Sequence, residues 1–222
     1  MSKKIILAIE TAIEGGSISL LENEREIDFW IGKREVSKAE DILVQAADLL
    51  KKNKIEKTQI DLVAFSSGPG SITGIRIGFA TVLGLQRSWN CRWIGVSVLE
   101  ALLLLSEKPT RILTAVPLGR KQVACQIFGD NNFNLTANKL PEINTFKEFI
   151  EFINQMKVDE LIVHDQLFSL VDEQNQINSI KKATLVNAGK NLAKVIGIRG
   201  LQITDISTSI STSKNLKKSK KI

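Results

Sequence analysis

The stretch Gly68 to Gly78, GPGSITGIRIG, is where residue types and spacing point to chemistry. Three glycines and one proline stand between a β-branched run, IDLVAFS, and a helical pattern, IRIGFATVLGLQRSW. Gly68, Gly70 and Gly74 can take positive φ or allow close backbone approach, and Pro69 stiffens the turn. N–H groups at such a helix start can bind an anion, so Gly68, Gly70, Ser71, Thr73 and Gly74 form a candidate anion loop. It is not a Walker A loop, which needs a lysine directly after its last glycine, whereas Ile75 follows Gly74. A tight structural turn is the favoured reading. His164 beside Asp165 suggests a general base, but no nucleophile can be named, so a strand-end polar group is favoured. Ser66, Ser67 and Ser71 do not form the G-x-S-x-G elbow of hydrolases.

Composition narrows the field further. The chain has 222 residues, with 43% hydrophobic and 24% charged, enough to bury a core. One His and two Cys cannot build a His-based metal cage, and the absence of Tyr removes tyrosine acid–base chemistry. Cys91 and Cys125 read as small core residues and not as a disulfide framework. Glu10 interrupts the N-terminal apolar run too early for a signal peptide, and Leu99 to Leu105 is too short to cross a bilayer. A soluble cytoplasmic protein with no membrane contact is expected.

The elements that must position these residues follow from periodicity. KIILAIE, SISLLEN and EREIDFWIG read as a three-stranded meander. Over Lys38–Lys52 the period changes, and Ala39, Ile42, Leu43, Ala46, Leu49 and Leu50 share one helical face. Ser37 with Glu40 forms a capping-box pattern before it. Ile60–Ser66 and Cys91–Val96 read as strands, and Gly74–Trp89 and Ser97–Leu105 as helices. Gly74, Gly78, Thr81 and Gly84 are small residues at roughly helical spacing, which implies close packing against a partner, inside the chain or on another subunit. Trp30, Trp89 and Trp93 read as core or interface anchors near these helices.

After Pro109 the pattern partly repeats. RILTAV and QVACQIFG are strands, FNLTANKL is a candidate third, Asn144–Met156 is helical, Glu160–His164 is a strand and Thr184–Ile196 a helix. The expectation is an α/β protein of two small βββ-α-β-α lobes, residues 1–108 and 109–208. STSKNLKKSKKI lacks periodicity, and residues 209–222 read as a basic tail.

GPGSITGIRIG resembles the GPGSFTGxRIG signature of the TsaB (YeaZ) family, and ILAIET resembles that family's ILAIDTS strand. RE-x-S-KAEDIL and WIGVSVLEAL resemble further family segments in the same order, so the resemblance spans roughly residues 4–105. It implies the ASKHA fold of actin and Hsp70, and a non-catalytic bacterial subunit. Such a subunit pairs with its paralogue TsaD, which transfers threonylcarbamoyl to an adenosine beside the tRNA anticodon, and TsaE joins the complex. The resemblance places the pairing surface on Ala39, Ile42, Leu43, Ala46 and Leu50 of one helix and Gly74, Ile75, Gly78, Thr81 and Val82 of the other. ATP and metal are then expected in the partner subunits, with no cofactor on this chain.

The family's second-lobe segment DARxxEVY aligns with PLGRKQVA here, so its acids fall on Pro117 and Gln122. Glu10 is left as a vestigial acid. The chain departs from the family at Ser37 or Lys38, often His elsewhere, and in lacking a recognisable C-terminal PxYxR element. Two other readings stand beside this one: a small ASKHA-type ATPase or kinase, and a protease-like paralogue that self-associates as a homodimer. The tail carries Lys214, Lys217, Lys218, Lys220 and Lys221 without an acid. Removing them from 30 basic against 24 acidic residues leaves 25 against 24, so the net charge of +6 belongs mostly to the tail. Indirect contact with tRNA and a merely solvated tail are both open, the latter favoured.

Overall fold

β-Branched and alternating runs pair into two five-stranded mixed sheets of the same design. The computed structural model describes residues 3–13, 15–32, 38–106, 111–119, 121–129, 140–156, 158–175 and 183–219. In the first sheet, β1 (Ile5–Glu10), β2 (Ser17–Glu22) and β3 (Arg25–Ile31) form an antiparallel meander. β4 (Ile60–Gly68) and β5 (Arg92–Ser97) then extend it in parallel, giving the order β3-β2-β1-β4-β5. The second sheet repeats this with β6 (Ile112–Leu118), β7 (Gln122–Phe128), β8 (Glu142–Thr145), β9 (Glu160–Val163) and β10 (Thr184–Asn187). Its order is β10-β9-β6-β7-β8, with β6 antiparallel to β7 and parallel to β9. The expected pair of similar lobes is therefore present as repeated topology.

β1 is buried along its whole length because both faces of the first sheet are covered. Leu7, Ile9, Val63 and Phe65 face α1 (Lys38–Lys52) and α2 (Ile72–Trp89). Ile6, Ala8, Leu62 and Ala64 face a core shared with the second sheet, α3 (Val98–Leu102) and α6 (Leu192–Ser219). The far face of the second sheet packs on α4 (Phe146–Gln155) and α5 (Asp165–Asn175) through Phe149, Ile153, Leu167 and Val171.

Several sequence expectations change in the second half. Thr184–Asn187 is not helical. It pairs with β9 as an edge strand, and the helix begins only at Leu192. The backbone then stays helical to Ser219, through most of the segment read as an aperiodic tail. Docking of the first turns supplies the nucleus from which further turns propagate cheaply. By packing, α6 lies against β1, β2, β4 and β5 of the first sheet, although chain order puts its start in the second lobe. Gly197 lies where a Cβ would stand 2.9 Å from that of Ala8, and Gly200 2.8 Å from that of Ala64. Ser17 Oγ accepts from Ala193 N–H at 3.1 Å, and Asn191 Nδ2 donates to Glu26 at 2.8 Å, which fixes the helix start to β2 and β3.

FNLTANKL lies outside the described residues except for Leu140. The third strand there is Glu142–Thr145. Thr145 and Glu148 then form a capping box, so α4 starts at Phe146 instead of Asn144. Ser37 also lies outside the described residues, and with it the expected box before α1.

His164 stands between β9 and α5, a helix that periodicity did not reveal. Its Nδ1 accepts Gln166 N–H at 3.2 Å, so the neutral ring caps the helix. Burial holds its pKa down to about 4, Asp165 opposes that shift and Lys190 adds to it. The unfolded ring titrates near its ordinary 6.5, so the unfolded state binds more protons between these values. Stability is thus full above about pH 6.5 and falls as pH drops towards 4. We expect a loss of about 2 kcal/mol between pH 6.5 and 4.5. Glu22 and Asp28, whose pKa values are lowered by Lys3 and Lys52 respectively, act below that window. Denaturant titration should show this slope, and His164→Asn, which keeps a capping acceptor, should flatten it. An unchanged slope in the variant would refute the assignment.

Candidate functional site

The signature loop folds back on the turn between β1 and β2. Gly68 has φ of +108°, a conformation open to glycine, and its bond to Pro69 is cis. Gly70 sits so close to Ala12 that a Cβ would stand 2.5 Å from the Ala12 carbonyl oxygen. Ser71 N–H donates to that same oxygen at 2.7 Å. From beneath, Ser66 Oγ accepts Thr11 N–H at 3.1 Å and Ala12 N–H at 3.3 Å. Glu10, 2% exposed, accepts Ile13 N–H at 2.8 Å through Oε1.

Two of the N–H groups offered for anion binding, those of Ser71 and Gly74, are engaged inside this turn. Gly74 N–H donates to Ser71 Oγ at 3.2 Å, the N-cap of α2, and Ile75 N–H donates to Ser71 carbonyl at 2.8 Å. Gly68, Gly70, Ser71 and Gly74 thus build the joint between β4, α2 and the β1–β2 turn. Thr73 is exposed beyond it. Ser66 Oγ is a buried acceptor for two backbone N–H groups of the β1–β2 turn.

Across the sheets, the β6–β7 hairpin pairs Pro117 with Val123 and Leu118 with Gln122. Among the described residues, no three His, Cys, Asp or Glu side chains gather in a way that could hold a metal ion. Cys125 is buried, and burial raises its thiol to about 11. Cys91 is buried too, with its pKa likewise raised by burial.

The pair of helices on the outer face of the first sheet carries the other candidate surface. The expected pairing residues divide sharply. Ile42, Ala46, Leu50, Gly74, Gly78 and Val82 are buried within the chain and cannot reach a partner. Gly78 packs directly on the hydroxyl of Thr11, which explains the small-residue spacing as an internal contact. Ile75 leans into the core between the sheets, Thr81 is half-buried, and Ala39 lies in the first turn of α1. Among the described side chains of the set, Leu43 is both apolar and exposed, at 50%.

The opposite face of α2 was missed. Ile72, Phe79 and Leu83 stand exposed there at 67%, 41% and 40%, and Leu43 and Val44 of α1 are exposed as well. Trp93 on β5 joins them, its ring 5.7 Å from Phe79, with Phe65 beneath. Trp30 and Trp89 pack against the core behind. The available signal was that Ile72, Phe79 and Leu83 recur at helical spacing on a face of α2 distinct from that of Gly74, Gly78, Val82 and Leu85. Such a helix in a sheet-covering layer has a second face to bury.

The sequence profile of the family described as "TsaD: tRNA N6-adenosine threonylcarbamoyltransferase" matches residues 35–210. The chain is 28% identical to the tRNA threonylcarbamoyladenosine biosynthesis protein TsaB of Buchnera aphidicola subsp. Acyrthosiphon pisum, over 85% of this chain and 86% of that one. It superposes on YeaZ from Pseudomonas aeruginosa with a TM-score of 0.64 at 17% identity, covering 91% and 93% of the two chains. The inorganic polyphosphate/ATP-glucomannokinase of Arthrobacter sp. strain KM shares the fold at a TM-score of 0.58 and 10% identity, over 90% and 98%. The fold is thus of the ASKHA type. With the signature loop, the doubled sheet topology and a profile match over most of its length, this chain belongs to the TsaB (YeaZ) family, related to TsaD.

Proposed function

We propose that the chain is a non-catalytic subunit in the formation of threonylcarbamoyladenosine in tRNA, pairing with TsaD through the outer face of α1 and α2. The observation that carries this reading is the exposed Phe79–Trp93 pair, with Ile72 and Leu83 exposed on the same face of α2 and Leu43 and Val44 exposed on α1. Large apolar side chains gathered on two adjacent helices cost free energy in water and mark an interaction site. TsaE joins the assembly, and ATP and metal sit in the partner subunits. The same face can receive a second copy of this chain when TsaD is absent.

The first-lobe acid supports a supporting role. Glu10 holds the turn through Ile13 N–H, and its equivalent position across the sheets offers Pro117 and Gln122, not a carboxylate. Glu10→Gln keeps the acceptor and is expected to leave tRNA modification by the reconstituted complex within about twofold of the parent. ATP turnover by the purified chain alone should sit at background. Robust turnover that Glu10→Gln abolishes would reject the non-catalytic reading in favour of the ATPase or kinase alternative. The broader test is reconstitution. TsaD and TsaE should modify tRNA only when this chain is present, and full modification without it would refute the proposal.

A further inference from the structure

We infer that the second lobe carries a pocket for a small free α-amino acid, on the face of its sheet that packs on α4. A cavity of about 90 Å³ opens there, lined by Arg111, Cys125, Ile127 and Glu142 from the sheet side and by Phe152 and Met156 from the end of α4. Strand register explains why these residues meet. Leu113 and Cys125 belong to the core under α4, and Arg111 and Ile127 lie two residues from them along the same chain directions, on the same face. Glu142 pairs with Cys125 and so shares that face. β7 runs on to Phe128 beyond this last pair with β8, which leaves room beside Ile127. The Arg111 backbone is fixed, since its N–H donates to Asp159 Oδ2 at 2.9 Å and its carbonyl accepts Asp159 N–H at 2.8 Å.

The two charged groups of the cavity are opposite in sign. Arg111 and Glu142 are both half-buried, and none of the ion pairs among the described residues uses either of them. Between them the lining is apolar. Burial raises the Cys125 thiol to about 11, Asn144 opposes that shift and the charge of Glu142 adds to it. The thiol therefore stays protonated and forms part of the wall, not a nucleophile. A ligand that satisfies both charges needs a carboxylate, which a guanidinium binds through two parallel N–H bonds, and an ammonium for Glu142. An α-amino acid carries both on one carbon. A plain anion would leave Glu142 facing it, and a plain cation would leave Arg111. The volume equals about three water molecules at about 30 Å³ each, so the ligand's side chain must be short. Ile127, Phe152 and Met156 give that side chain apolar contact, the usual division of labour in a small-molecule site.

The test titrates the full chain, labelled at its methionine and isoleucine methyl groups, with L-alanine, L-serine, L-threonine and L-valine. NMR follows the methyl resonances of Met156 and Ile127. At least one of the four amino acids should shift both resonances saturably. Propionate and ethylamine each keep one of the two charges, and both should bind at least about tenfold more weakly than the best amino acid. Arg111→Met keeps the side-chain stem and Glu142→Gln keeps the shape. Each should weaken binding by about tenfold or more while thermal unfolding stays as in the parent. L-Tryptophan, too large for the cavity, should leave the resonances unmoved. The inference is overturned if none of the four amino acids gives a saturable shift, or if both variants bind as the parent does. Propionate binding as tightly as the best amino acid would reduce the pocket to an anion site and overturn it too, and equal binding of L-tryptophan would reject the compact ligand class. The chain is titrated alone, so the outcome does not depend on pairing with TsaD.

Discussion

Exchanging Phe79 and Leu83 for glutamate is expected to abolish co-purification with TsaD while leaving the chain folded. Both side chains stand about 40% exposed on the outer face of α2, so carboxylates there remain solvated in the monomer. In a complex each would lose about 0.5–1 kcal/mol of apolar burial, the part still exposed in the monomer. Each would also bring an unpaired charge into a desolvated surface, at several kcal/mol. A combined loss above about 5 kcal/mol is a weakening of more than about a thousandfold. Pull-down with TsaD reads the outcome, and thermal unfolding of the variant controls for folding. Retained pairing with an unchanged melting temperature would reject this face as the interface. Gly78→Leu, which the small-residue spacing would suggest as the same test, has a different result. Its side chain would run into Thr11, which is fully buried, so that variant loses the fold before it can report on pairing.

The second large effect is on stability. Gly70→Val should destabilise the protein by about 3 kcal/mol or more. The new Cβ would stand 2.5 Å from the Ala12 carbonyl oxygen and 2.6 Å from its Cβ. These are backbone and near-backbone atoms that cannot swing aside, unlike the tip of a flexible side chain. Overpacking alone costs about 1–3 kcal/mol. Displacing the loop also breaks the Ser71 N–H bond to Ala12, for about 1 kcal/mol more. In a chain of this size the melting temperature should fall by about 6–12 °C. Calorimetry showing a shift below about 2 °C would refute the close-packing role of this glycine. Because the loop joins β4 and α2 to the β1–β2 turn, the variant should also loosen the outer helix face that it positions.

Much of the fold was legible because periodicity reports burial. The first meander, α1, β4, α2 and β5 follow from alternating or 3.6-residue patterns, and the structure keeps them with boundaries moved by one or two residues. The second lobe was harder to read. Thr184–Asn187 is too short for its period to be decisive, and it becomes a strand because β9 offers a free parallel edge. The helix Asp165–Asn175 starts on a histidine cap, which lacks the usual Ser, Thr, Asp or Asn signal. The segment after Ile206 has no apolar period, and helix continues there from turns already docked on the first sheet.

The candidate site divides along the same line. By itself the sequence determined the signature loop and its rejection as a Walker motif. Both are statements about residue type at a spacing, which the linear chain contains in full, whereas the roles given to Glu10, Pro117 and Gln122 are only what the family resemblance implies. Only the tertiary structure decided which face of α2 is free. Gly74, Gly78 and Val82 mark a close approach, but sequence cannot say to what, and the approach is to Thr11 and the sheet of the same chain. Likewise the loop's N–H groups could serve an anion or the backbone, and the carbonyl of Ala12, far away in sequence, takes the one at Ser71. The physical reason is common to both. A packing surface or a hydrogen-bond donor has a type fixed locally, whereas its partner is chosen by long-range contacts between strands and helices distant in the chain.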